Sequence, residues 1–129
     1  MKLIYLLAAA CLFTLASCNN DENQPEYDVI FTIIEPEEGG VYASGEEFHI
    51  EVDIEGTLPI GNIEMLLHNM TTGDTMWYYS TTTSQDYFAY HDHPILAVAN
   101  PSMCHFEVSA WEISYDNRIT RDVHFEINP

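Results

Sequence analysis

The chain has 129 residues, with 21 Asp and Glu against three Lys and Arg, which gives a formal net charge of −18 at pH 7. A surface this acidic repels phosphate groups, so binding to DNA or RNA and charge-driven docking onto anionic lipid are both excluded. The acids either form a solvated exterior, which keeps the protein soluble and monomeric, or attract cations or a basic partner.

The first 17 residues have the pattern of a secretory signal peptide. Met1 and Lys2 provide a short positively charged start, and residues 3–15 are almost wholly apolar. Small residues then precede a cleavage point, as in exported proteins. The apolar stretch is shorter than the about 20 residues that a membrane-spanning helix needs. We therefore expect residues 1–17 to be removed.

Cys18 closes the sequence Leu15-Ala16-Ser17-Cys18, which is similar to a bacterial lipobox. In that motif the cysteine becomes the lipidated first residue of the mature protein, so the resemblance implies a lipid anchor at Cys18. Several acyl chains would hold the protein on a membrane that it does not span. The alternative is an ordinary signal peptide cut near Ser17.

The stretch after the lipobox is polar and acidic and contains one proline. Residues 18–27 are therefore predicted to be a lipidated cysteine followed by a disordered acidic tether. Cys11 leaves with the signal peptide and Cys18 carries the lipid, so Cys104 remains without a cysteine partner. The domain over residues 28–129 is predicted to fold alone, as a monomer, without a metal or an internal disulfide.

From residue 28 onward the hydrophobic period is two, which predicts strands with one buried and one wet face. Gly73, in the polar stretch 70–74, predicts a hairpin turn, and residues 115–118 predict a second turn. About seven short strands with turns between them favour an all-β fold, an immunoglobulin-like antiparallel β-sandwich. The predicted strands are 28–35, 48–55, 62–69, 75–80, 86–91, 104–111 and 119–127, with a further short piece at 95–98.

Four features of the chain carry a resemblance to a known family. They are the lipobox, the opening Pro36, Gly39-Gly40 and Gly45, the turn Asn69-Met70-Thr71-Thr72-Gly73-Asp74, and the closing Val123-His124-Phe125. In these features the chain resembles the small immunoglobulin-like surface lipoproteins of gut Bacteroidota, many of which are domains of unknown function. This resemblance implies an outer-membrane location, facing the cell surface or, as the alternative, the periplasm. It implies no established activity, because a fold alone does not give a function.

Six histidines raise the question of a metal site. His91 and His93 flank Asp92, and residues i and i+2 of a strand share one face. Both rings could then bind one Zn²⁺ or Cu²⁺, with Asp92 pointing away and a third ligand from a neighbouring strand. The alternative is a pair of exposed histidines in a loop beside Pro94.

Three other histidines, His68, His105 and His124, are predicted to face outward from neighbouring strands. If the last hairpin turns at residues 117–118, His124 lies across from Trp111. At the rise of a β-strand, His124 is then about 20 Å from His105. The sequence therefore predicts that His105 and His124 do not share a metal.

Cys104 lies between Met103 and His105, a grouping of soft ligands that suits Cu(I). The same cysteine alternates with the apolar residues of its strand, and free cysteine is commonly buried. A core position is therefore the favoured interpretation.

Trp77, Tyr78 and Tyr79 occupy adjacent strand positions, so at least one of these rings must face outward. Together with Trp111, which is also predicted to be exposed, they suggest an aromatic binding surface on Trp77, Tyr79 and Trp111 for a protein or glycan. The alternative is lateral packing of the rings over the sandwich.

Enzymatic motifs are missing from the sequence. It contains no Gly-x-Ser-x-Gly elbow, no phosphate-cradling loop and no His-Glu-x-x-His. We therefore expect a non-enzymatic, membrane-anchored lipoprotein that acts as a binding or interaction module and needs no cofactor. The alternative function is histidine-based binding of Zn²⁺ or Cu²⁺ at His91 and His93.

Overall fold

A computed structural model of the chain describes residues 25–114 and 117–129. The predicted signal peptide 1–17, Cys18 and the tether as far as residue 24 lie outside the described residues, as do residues 115 and 116 of the predicted second turn. Over the described ranges, no helix is long and apolar enough to cross a membrane.

Eight strands form two sheets in the described part of the chain. The smaller sheet has the order β1-β3-β6, and the larger has the order β2-β8-β7-β4-β5, with β2 and β8 parallel and all other pairs antiparallel. The strands are β1 Val29–Glu35, β2 Val41–Ala43, β3 Ile50–Gly56, β4 Gly61–Asn69, β5 Thr75–Thr83, β6 Tyr87–Asp92, β7 Ser102–Trp111 and β8 Ile119–Asn128.

This strand order is that of an immunoglobulin-like sandwich. When the short strand β2 is left out of the count, the first, second and fifth strands, which are β1, β3 and β6, form one sheet, and the other strands form the sheet that faces it. The predicted all-β fold class is therefore confirmed. The predicted short piece at 95–98 is not a strand, because only Ile95 pairs there, in an isolated bridge to Glu47.

The core lies between the two sheets and follows the predicted alternation. On β3, Ile50, Val52 and Ile54 are fully buried, and on β7 Phe106 is fully buried as well. The apolar side of each strand is removed from water only when the sheets stack face to face, so the period of two in the sequence dictates two layers.

Cys104 lies in this core, which confirms the favoured interpretation. Its side chain is fully buried and free of any disulfide, and burial raises the pKa of the thiol to about 11. Its Sγ lies 3.9 Å from the Met76 sulfur, whereas Met103 points into solvent. The soft ligands around Cys104 therefore do not converge on one exposed point.

Tyr27 corrects the predicted boundary between tether and domain. Its side chain is only 7% exposed, and its hydroxyl donates a hydrogen bond of 2.7 Å to the backbone carbonyl of Ile60. Burial raises the pKa of Tyr27 to about 12. A large aromatic ring gains more from the apolar core than from water, so the folded domain already includes Tyr27.

The register of the last hairpin was also predicted wrongly. Ala110 pairs with Ile119, and His105 pairs with His124, rather than Trp111 with His124. The connection between β7 and β8 runs from residue 112 to residue 118, so its centre lies about three residues before the predicted turn at 117–118 and every partner moves by six residues. His105 and His124 are therefore not separated by the predicted distance of about 20 Å, which was the reason for excluding a shared metal.

Candidate metal centre

The β3–β6 pairing continues past the ends of both strands. Ile50 pairs with Asp92, and Glu47 forms the bridge to Ile95 in the same register. Between them, the backbone N–H of Phe48 donates to the carbonyl of Pro94 at 2.8 Å. This continued ladder places the residue before β3, His49, opposite the residue after β6, His93.

Three imidazole rings therefore meet at one end of the small sheet. His93 lies in the middle, with ring centroids 4.3 Å from both His49 and His91, while those two outer rings are 6.4 Å apart. One nitrogen from each ring lies within 4.8 Å of the others. We call His49, His91 and His93 the histidine triad.

Asp92 faces the opposite side of β6, as predicted, and fixes the backbone of the triad. Its Oδ2 accepts hydrogen bonds from Trp77 Nε1 at 3.3 Å and from the Tyr90 hydroxyl at 3.2 Å, and its Oδ1 accepts the His93 backbone N–H at 2.8 Å. Desolvation and this neighbouring carboxylate raise the pKa of Tyr90 to about 12. Asp92 is therefore a positioning residue for His93.

One ring nitrogen of the central histidine, His93, is buried without a hydrogen bond. His93 Nδ1 is buried and has no hydrogen-bond partner, and the nearest carboxylate oxygen recorded for it, Glu47 Oε1, is 3.6 Å away. A buried polar atom without a partner costs about 1–3 kcal/mol. Such an atom is explained when a ligand satisfies it.

The surroundings of the triad favour a cation. Glu47 lies beside His93, and Glu51 is the cross-strand partner of His91. Neutral imidazole is a good ligand for Zn²⁺ and Cu²⁺, and three protein ligands leave a coordination position for water or another molecule. The arrangement can therefore hold a divalent ion with one open position.

The predicted aromatic surface does not form as expected. The rings of Trp77 and Tyr79 are half-buried against the core, where Trp77 lies 6.3 Å from Phe106 and Tyr79 lies 4.3 Å from Tyr90, measured between centroids. They close the side of the sandwich between β5 and β6, which is the packing alternative. Their position on the inward side of β5 follows from its pairing with β4.

Trp111 does lie on the outer face of the large sheet, near Tyr78, which is 54% exposed. The guanidinium of Arg118 covers its ring at 4.6 Å from the centroid and forms an ion pair with Glu64. That ion pair lowers the pKa of the Glu64 carboxyl. The Arg118 guanidinium therefore covers the face of the Trp111 ring that a ligand would otherwise contact.

His49 is the triad member that sequence reasoning did not assign to the site. The sequence does show that His49 follows Phe48 in an alternating stretch, and this alternation puts the His49 side chain on the outer face. The partner strand of that stretch could not be derived from the pattern.

No protein-family model matches the chain, and a search of the curated proteins gives no match either. What the domain does must therefore be inferred from its own residues.

Proposed function

We propose that the protein is a membrane-anchored lipoprotein whose immunoglobulin-like domain binds one divalent transition-metal ion, Zn²⁺ or Cu²⁺, at the histidine triad. The observation that carries this proposal is the convergence of one ring nitrogen each from His49, His91 and His93 within 4.8 Å. The buried His93 Nδ1, which has no hydrogen-bond partner, supports it. The binding module expected from the sequence thus takes a metal ion as its ligand.

The charge of the domain supports a cationic ligand. Its arginines in the described ranges are Arg118 and Arg121, and Arg118 is already paired with Glu64. A net charge of −18 for the whole chain raises the local concentration of cations at the surface. A protein or glycan partner has less support, because Trp77 and Tyr79 are packed inside.

The metal is a bound ligand and not a scaffold for the fold. The core between the sheets is built from residues such as Ile50, Phe106 and Phe125, all nearly inaccessible to solvent. Structural metals are needed mainly in domains below about 40 residues. The domain is therefore expected to show a cooperative thermal transition in the presence of a chelator, which circular dichroism would measure.

The test is calorimetric titration of Zn²⁺ and of Cu²⁺ into the wild-type protein and its His91→Gln and His49→Gln variants. We expect micromolar binding that weakens at least tenfold in both variants. His68→Gln is the matched control, since it removes a half-buried histidine of the other sheet. Equal heats for wild type and both triad variants would refute the metal site.

The proposed anchor is tested separately at Cys18. Intact mass of the protein recovered from membranes should show acylation, because the lipobox places the cysteine at the acceptor position. Cys18→Ala should release the protein from the outer membrane, and protease treatment of whole cells should degrade the wild-type domain if it faces the surface. Membrane retention of an unlipidated Cys18→Ala protein would contradict the anchor.

A further inference from the structure

A second group of metal-ligating side chains lies on the outer face of the large sheet. His105 on β7 is the direct cross-strand partner of His124 on β8, and their ring centroids are 4.9 Å apart. Asp122 shares that face, since it precedes His124 by two residues. One ligand atom from each side chain lies within 4.8 Å of the others. We call His105, Asp122 and His124 the β7–β8 cluster.

The sheet itself sets the directions of the two histidines. On β7, the neighbours of His105 are Cys104 and Phe106, and both are fully buried. The neighbours of His124 on β8 are buried as well. Both imidazoles must therefore project outward, at the close spacing of a cross-strand pair.

Charge around the β7–β8 cluster is negative. Asp122 is paired across the strands with Glu107, and like charges directly opposite each other repel. Arg118 Nη2 lies 3.9 Å from Glu107 Oε1 and offsets part of this repulsion. Glu38 approaches from the loop before β2, where its Oε2 accepts the His124 backbone N–H at 2.8 Å. The ion-pair partners of Asp122 in the described ranges are the two histidines. A bound cation would relieve the repulsion between these carboxylates.

We infer that the β7–β8 cluster binds a second divalent transition-metal ion, held by two imidazoles and one carboxylate. This donor set suits Zn²⁺ and other first-row divalent ions and leaves coordination positions for water. The site shares no residue with the histidine triad and lies on the other sheet, so each can bind metal without the other.

Binding at the β7–β8 cluster is expected to be weaker than at the triad. His105 Nε2 and Asp122 Oδ2 already contact each other at 3.0 Å, and a metal must replace that contact. We expect Zn²⁺ affinity at least tenfold lower than at the triad.

The test is a Zn²⁺ titration followed by calorimetry and by the imidazole signals in NMR spectra. The wild-type protein should bind two ions in two steps, and His124→Gln and Asp122→Asn should each remove the weaker step alone. In His91→Gln, the His105 and His124 signals should still shift with Zn²⁺. If the triad fails but this site exists, His91→Gln changes nothing and His124→Gln removes all binding.

His68→Gln is the matched control. His68 pairs with His105 from the other side, on β4, but lies outside the group of converging ligand atoms. It should therefore leave both steps unchanged. The inference is overturned if His124→Gln and Asp122→Asn leave the titration unchanged, if His68→Gln removes the same step, or if sedimentation shows one ion shared between two molecules.

Discussion

The histidine triad and the β7–β8 cluster bring together similar side chains in different ways. The triad forms where the chain enters β3 and leaves β6, so two of its members lie just outside the strands. The β7–β8 cluster lies within a regular ladder, with His105 and His124 in direct register. The triad depends on the segments that flank the strands, whereas the β7–β8 cluster depends on strand pairing alone.

The two groups also differ in how far their polar atoms already have partners within the protein. In the β7–β8 cluster, Asp122 Oδ2 is hydrogen-bonded to His105 Nε2 at 3.0 Å. In the triad, Glu47 Oε1 lies 3.6 Å from the buried His93 Nδ1, which has no hydrogen bond. A ligand group that is already hydrogen-bonded gains less from a metal than a buried nitrogen that has no hydrogen bond. The comparison therefore predicts a strong and a weak site.

The largest expected effect comes from the core beneath both groups. Phe106 is fully buried next to His105, and its ring contacts Trp77, which in turn binds Asp92 behind the triad. Phe106→Ala should lower the free energy of unfolding by about 3–5 kcal/mol, because it leaves a cavity. Urea denaturation measures this. A loss below about 1 kcal/mol would mean that Phe106 does not anchor the core.

The next largest effect is expected from acidification, which should lower the Zn²⁺ affinity of the two sites by different factors. Imidazole binds a metal only when neutral, and histidine ordinarily takes up a proton near pH 6.5. From pH 7 to pH 5, Zn²⁺ affinity should fall roughly a hundredfold or more at the triad, because three rings must lose protons. The β7–β8 cluster needs only two, so its affinity should fall less steeply.

Calorimetry at several pH values gives both slopes. The acids that face the triad are Glu47 and Glu51, and those around the β7–β8 cluster are Asp122, Glu107 and Glu38. The slopes report how many imidazoles must lose a proton at each site before the metal binds. Identical slopes at the two sites would contradict the assignment of three rings to one and two to the other.

Asp92→Asn should weaken the triad and spare the β7–β8 cluster. The carboxylate holds the His93 backbone and receives hydrogen bonds from Trp77 and Tyr90. Loss of such a supporting residue commonly reduces metal affinity by 10–100-fold. Zn²⁺ titration should show the stronger step weakened by about that factor. A purely structural role would instead lower thermal stability and leave affinity unchanged.

The smallest effect is expected far from both sites. Tyr27→Phe removes the hydrogen bond to the Ile60 carbonyl and should lower stability by about 1 kcal/mol, with no change in either Zn²⁺ affinity. Because burial raises the pKa of Tyr27 above its unfolded value, its contribution is complete below pH 10 and is lost as pH rises through about 12. Thermal melts of the wild type and of Tyr27→Phe, compared from about pH 9 to about pH 12, measure this.

The sequence predicted the core, the shared face of His91 and His93 and every strand of the described ranges except the short β2, because each depends only on the period of two. It could not predict His49 as a ligand, since that requires the β3–β6 register. It excluded the His105–His124 pair because the turn between β7 and β8 was placed about three residues too late in the chain. It also assigned the β5 rings to the wrong side, because local sequence does not reveal which side of an edge strand is covered.

The place where the chain enters the sandwich has a consequence for access to the metal. Tyr27 is inserted beside Ile60, at the Gly56 end of β3, and the triad lies at the Ile50 end. Seven residues of extended strand, about 20 Å, separate the two ends. The incoming chain therefore lies at the end of the sandwich away from the triad. It leaves the proposed metal site open to a soluble carrier that could deliver or collect the ion.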